Sequence, residues 1–129
     1  EAIRTATDRL DEGWATGVFI DGTRQANGRV NAPQGGAALL AARAGAPLLP
    51  VAIINSHRAL GTGSRRPHLV PVHIRIGTPI PAPASRRRAD LEAATRACQE
   101  QINALLDQGL IAAAEHGPAR GRNALPPRA

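Results

Sequence analysis

The sequence predicts an α/β fold, on three observations. Helical and extended patterns follow one another in the order helix, strand, helix, strand, strand, helix. The run "LLPVAII", residues 48–54, is β-branched and apolar on both faces, as a strand inside a sheet should be. Further on, "HLVPVHIRIG" sets Val70, Val72, Ile74 and Ile76 on alternate positions, the period of a half-buried strand. At 129 residues the chain can build one domain with a core, and its hydrophobic fraction is 43%. Trp14 and Phe19 are its only aromatic residues, so that core is made of small aliphatic side chains.

Taken in order, Ile3, Ala6 and Leu10 recur at helical spacing, with Gly13 placed where a left-handed C-terminal cap belongs. "WATGVFI", residues 14–20, is a short apolar run that ends at an Asp-Gly turn signal, and it predicts a buried strand. Residues 25–33 form a polar loop with a turn at Asn27-Gly28. Ala- and Leu-rich composition predicts a helix over 34–43, stopped by Gly45 and Pro47. Within the strand at 48–54, Pro50 cannot donate a ladder hydrogen bond, so it marks a strand start, an edge or a bulge. A basic polar loop covers 55–67, and a proline-rich exit follows the alternating strand. Leu91, Ala94, Cys98, Ile102, Leu105 and Leu106 then make an amphipathic stripe, with Asp90 near its start and Gly109 expected at its end. Periodicity is lost after about Ala114; residues 1–109 are expected to form the domain and 110–129 a disordered basic, proline-rich tail.

Cys98 is the single cysteine, which excludes an internal disulfide, and its place in the apolar stripe assigns it to core packing. No apolar run reaches the roughly 20 residues that a membrane-crossing helix needs. Methionine is absent and the chain opens in what reads as the interior of a helix, so a fragment of a longer protein is expected.

The formal charge of +6 conceals a sharper pattern. No acid occurs from Gly22 through Ala89, while that stretch carries ten arginines, from Arg24 to Arg88. A one-signed surface attracts phosphates, anionic headgroups or nucleic acid. The runs Arg65-Arg66 and Arg86-Arg87-Arg88 read equally as solvated charge and as headgroup contacts. No pair of aromatics is available for base stacking and no nucleic-acid motif is present, so nucleic acid is not an expected partner.

The stretch "GVFIDGTRQANGRV" carries the candidate chemistry. A strand that ends in a Gly-containing turn presents amides and side chains at the sheet's carboxyl end, where α/β proteins bind ligands. Arg24 can hold a phosphate through two parallel hydrogen bonds, and Gly22 lets the chain turn and a ligand approach. Thr23 can fasten the turn, and Asp21, among many arginines, is expected to stay ionised and to orient an arginine or accept from a substrate hydroxyl. Taken alone, "DGTR" is most often just a turn. Other constellations are weaker: Ser56-His57 lacks a nucleophile elbow, "GTGS" at 61–64 reads as a loop, and His68 and His73 lack the company of a metal site.

Four ordered blocks resemble the glycerolipid acyltransferase family, typified by 1-acylglycerol-3-phosphate (lysophosphatidic acid) acyltransferases. They are Phe19, Gly22, Thr23 and Arg24; Gly36, Ala37 and Ala38; Pro47, Pro50, Val51, Ala52 and Ile53; and Gly77, Pro79 and Ile80. The resemblance covers about residues 1–109 and implies the C-terminal part of the acyltransferase domain. The implied fold is the C-terminal portion of a mixed β-sheet flanked by helices, like glycerol-3-phosphate acyltransferase. It implies acyl transfer from a thioester of coenzyme A or acyl carrier protein to a glycerophospholipid acceptor, giving phosphatidate, without a further cofactor or metal. Asp21, Gly22, Thr23 and Arg24 would then bind the acceptor, with Phe19 and Pro50 pocket-lining or structural. It further implies a peripheral or membrane-associated enzyme on the cytoplasmic face, in contact with an anionic membrane surface.

Two departures fall in the first block: Ile20 stands at the family's proline and Asp21 at its glutamate, which shortens the carboxylate's reach by roughly 1.5 Å. The family's catalytic His-x-x-x-x-Asp is not found. The residues five beyond His57, His68, His73 and His116 are Thr62, His73, Thr78 and Gly121. No residue of this chain is therefore assigned a catalytic role, and alone it is expected to be inactive. The alternative is a non-catalytic basic module that binds anionic lipid or nucleic acid.

Overall fold

A computed structural model describes residues 1–23, 25, 27–59 and 65–116, with side chains as far as 112. Helix α1 (Ala2–Asp11) is followed by a long loop, α2 (Gly36–Ala44), strand β1 (Val51–Ile54), a single turn α3 (Ser56–Ala59), strand β2 (His73–Ile76) and the long helix α4 (Arg88–His116). This combination of helices with a small sheet is compatible with the α/β expectation; the sheet described is two-stranded and antiparallel.

Helix ends follow local chemistry. Gly13 takes φ +88°, its N–H bonds to the Leu10 carbonyl, and the Trp14 N–H reaches back to Arg9 at 2.9 Å, the paired bonds of a Schellman cap. Gly45 closes α2 in the same left-handed conformation. Gly109 behaves otherwise. It was expected to end α4, yet the helix continues through it to His116. Gly109 is buried against Ile54, and a Cβ there would collide with the Ile54 Cδ1 and Cγ1 atoms. The glycine answers a helix–strand approach, not a stop.

The strand at residues 48–54 is interrupted at Pro50. Val51 pairs with Ile76, whereas the next bridge joins Leu48 to Ile80, so three steps on one side face four on the other. The extra residue is a bulge in 77–79. Pro50, fully buried, only accepts there, from the Gly77 N–H at 2.8 Å.

Ala52 and Ile54 face α4 and form one core cluster with Leu106, flanked by Ile102 and Leu105. The register places Arg75 and His73 on that same face, opposite Ala52 and Ile54. The other face holds Val51, Ile53, Ile74 and Ile76, and Ile74 is 66% exposed. The alternating strand is therefore shorter than expected, and its apolar side is the open one. Arg75 tolerates the α4 side because its aliphatic stem runs past Gly109.

The buried strand expected at residues 14–20 is also corrected. No described strand pairs with this segment, Trp14, Val18 and Phe19 are exposed, and only Ile20 is buried. Ile20 joins Val30 and Cys98 in a second cluster, bordered by Ala37, Leu48, Ile80 and Ile102. Cys98 is buried as expected, and burial pushes its thiol pKa up, away from the reactive thiolate. Arg24, the 61–64 loop and residues 117–129 of the expected tail lie outside the described residues.

Candidate functional site

The Asp21-Gly22 turn closes through the Gly22 N–H donating to the Phe19 carbonyl at 3.3 Å, with Gly22 at φ +68°. Gln34 lies across it. The Gln34 N–H donates to the Ile20 carbonyl at 2.6 Å, and its Cγ stands 3.2 Å from where a Gly22 Cβ would be. A side chain at position 22 would need both a left-handed backbone and room that Gln34 occupies. Gly22 and Thr23 are exposed, whereas Asp21 is half-buried.

Asp21 carries the least settled carboxylate of the site. Its Oδ1 is buried with no hydrogen-bond partner among the described residues, and burial raises its pKa. Arg24, the arginine nearest to it in sequence, lies outside the described residues. A carboxylate oxygen of this kind is a ready acceptor for a substrate hydroxyl.

The following loop is set by its own polar side chains and by α4. The Asn27 Oδ1 accepts from the Arg29 N–H at 3.1 Å, and Gly28 (φ +66°) closes the expected turn by donating to the Gln25 carbonyl. The Asn31 Nδ2 ties Gln25, Asn27 and the Arg29 carbonyl together. From α4, the Asn103 side chain both accepts from the Val30 N–H and donates to the Val30 carbonyl, each at 3.0 Å. The Gln99 Nε2 adds bonds to the Val30 and Asn31 carbonyls, and Arg29 pairs with Asp107, which holds the Asp107 carboxyl below its usual range. Val30 is thus fastened in the way a neighbouring strand would fasten it, but by two amides four residues apart on a helix. Sequence reasoning missed Gln99 and Asn103. Their spacing beside Cys98 and Ile102 was the available signal.

Asp21, Gly22 and Thr23 come together as one turn, anchored by Ile20 in the core. Phe19 is 82% exposed, whereas Pro50 is fully buried at the bulge. No group of side chains among the described residues has the makeup of a metal site, and no described helix is long and apolar enough to cross a membrane.

Residues 1–54 match the family model Acyltransferase. The matched segment runs from α1 through the Asp21 turn and α2 to the end of β1 and supports acyl transfer as the general chemistry. No curated protein and no solved structure matches the chain.

Proposed function

We propose that this chain is the acceptor-binding part of an enzyme that moves an acyl group from a thioester to 1-acylglycerol-3-phosphate, giving phosphatidate. The observation that carries the reading is the family match, because it spans the Asp21 turn and its support from α2. In the reaction the acceptor hydroxyl oxygen attacks the thioester carbonyl. The new C–O bond forms as the C–S bond breaks, and the hydroxyl proton passes through a base to the departing sulfur. Asp21 accepts from an acceptor hydroxyl, the Gly22 turn admits the glycerol backbone, and Arg24 neutralises the phosphate. The base is assigned to a His-x-x-x-x-Asp element outside this sequence. The enzyme would work from the cytoplasmic face of a membrane, where both acceptor and product reside.

The test uses the full-length protein and Arg24→Ala. Loss of a charged, paired phosphate contact is expected to raise the KM for the acceptor by about tenfold or more, with the donor KM unchanged. Unchanged acceptor kinetics would remove Arg24 from the site. Absence of any acyl transfer, together with binding to anionic vesicles, would favour the non-catalytic basic module.

A further inference from the structure

Asn27-Gly28 is the one place in the sequence where an asparagine precedes a glycine. In such a pair the glycine nitrogen can attack the asparagine's own side-chain carbonyl carbon, because no Cβ on the second residue stands in the way.

The fold holds both positions to these residue types. Gly28 has φ +66°, and a Cβ added there would lie 2.5 Å from the His57 Nδ1, so backbone and space both exclude a side chain. The Asn27 Oδ1 accepts from the Arg29 N–H and from the Asn31 Nδ2, each at 3.1 Å. Two donors on that oxygen draw electron density from the Asn27 Cγ, the carbon under attack. Asn27 is exposed, so water has access to it. What opposes the reaction is the Gly28 N–H bond to the Gln25 carbonyl, 3.2 Å long, which must open first.

The other described asparagines are poorly placed for this chemistry. Asn55 precedes a serine and is buried, with its Nδ2 donating to the Pro71 carbonyl at 3.2 Å. Asn31 and Asn103 precede alanines, and Asn103 lies within α4 with both ends of its amide bonded to Val30.

We infer that Asn27-Gly28 is a site of spontaneous main-chain modification, converting to iso-aspartate at a rate set by how firmly α4 clamps the loop. The Gly28 nitrogen bonds to the Asn27 Cγ, the Cγ–Nδ2 bond breaks, and the Gly28 amide proton departs with that nitrogen as ammonia. Water then opens the five-membered imide. Addition at the main-chain carbonyl leaves the chain running through Cβ and Cγ, with one carbon added to the backbone and a free α-carboxylate. Addition at the other carbonyl gives aspartate. The iso-aspartate route takes the Asn27 side-chain oxygen away from the Arg29 N–H, so the turn is not rebuilt. The clamp governs the rate because Gln99 and Asn103 hold Val30, two residues beyond Gly28, and the Gly28 N–H leaves Gln25 only when this segment opens. None of this depends on acyl transfer.

The test incubates the full-length protein at mildly alkaline pH, native and in denaturant. Cleavage after Arg24 and Arg29 releases the peptide 25–29, whose mass gain reports the lost ammonia, and iso-aspartyl methyltransferase labelling identifies the product. In the native protein Asn27 is expected to react ahead of Asn31, Asn55 and Asn103, with iso-aspartate the larger product, and to react faster still in denaturant. Asn103→Ala and Gln99→Ala, shown by thermal melting to be folded, should speed the native reaction by about fivefold or more, because a lost bond to the loop lowers the cost of opening it. Glu100→Gln, at an exposed position of the same helix, should stay within about twofold of the parent. Clamp variants that match the parent, or equal rates in native and denatured protein, would overturn the inference. So would a native Asn27 that stays intact while the denatured chain converts. Should neither clamp variant fold, the ratio of native to denatured rates decides.

Discussion

At Asp21 the burial of a carboxylate works against the stability of the fold. Its buried, unpartnered Oδ1 and raised pKa mean that the folded chain holds a proton more tightly there than the unfolded chain does. Folding is therefore opposed progressively as pH rises from the ordinary aspartate range through the raised value, and the opposition is fully present above it. Asp21→Asn should melt at a higher temperature than the parent at pH 7, with the gap closing below the ordinary aspartate range. A thermal melt series across pH checks this, and a variant that melts lower at pH 7 would contradict it. The same substitution should weaken acceptor use if Asp21 accepts a substrate hydroxyl. Ile20 belongs to the same scale. Read from the sequence, it was a departure from a family proline, yet it is the residue that pins the turn to Val30 and Cys98.

The contact between α4 and β1 decides how closely a helix can lie on this small sheet. Gly109 permits it by offering no Cβ to the fully buried Ile54. Gly109→Ala adds helix propensity but forces overpacking, which costs about 1–3 kcal/mol. Denaturant unfolding should show that loss, and adding Ile54→Val, which removes the Cδ1 atom in the way, should restore part of it. Without that recovery, the close approach would not be the cause. Elements of this kind mark the edge of what local sequence can tell. Gly13 and Gly45 were legible as caps because a cap is built from residues within the same turn. Gly109 carried the same local signal, but its role is set by Ile54, more than fifty positions away. Likewise the alternation up to Ile76 announced a strand, and Pro50 was anticipated as a strand start, an edge or a bulge; it stands just before β1, opposite a bulge in 77–79. Which side would be covered depended on the pairing of Ala52 with Arg75, a long-range fact.

Across the whole molecule, α4 is the member on which α2 and both strands lean, while α1 packs on α2. The polar edge of α4 holds the 27–33 loop. Asn103→Ala should leave the buried Val30 N–H without its partner, at a cost of about 1–3 kcal/mol. Hydrogen exchange would show the loss concentrated in residues 20–34, and protection unchanged there would argue against the clamp. The candidate site was legible in part for the same reason. Asp21, Gly22 and Thr23 are adjacent in sequence and formed the turn that their types foretold. The amide clamp joins Val30 and Asn31 to Gln99 and Asn103, and nothing local records that meeting.

The clamp also fixes an order of events during synthesis. Residues 20–34 leave the ribosome well before Gln99 and Asn103 do, and until then the Val30 amide and carbonyl have only water to bond. The Asp21 turn is therefore translated early and finished late. A message that stops short of residue 103 would yield a polypeptide with every side chain of the 20–34 loop in place and none of the scaffold that shapes it.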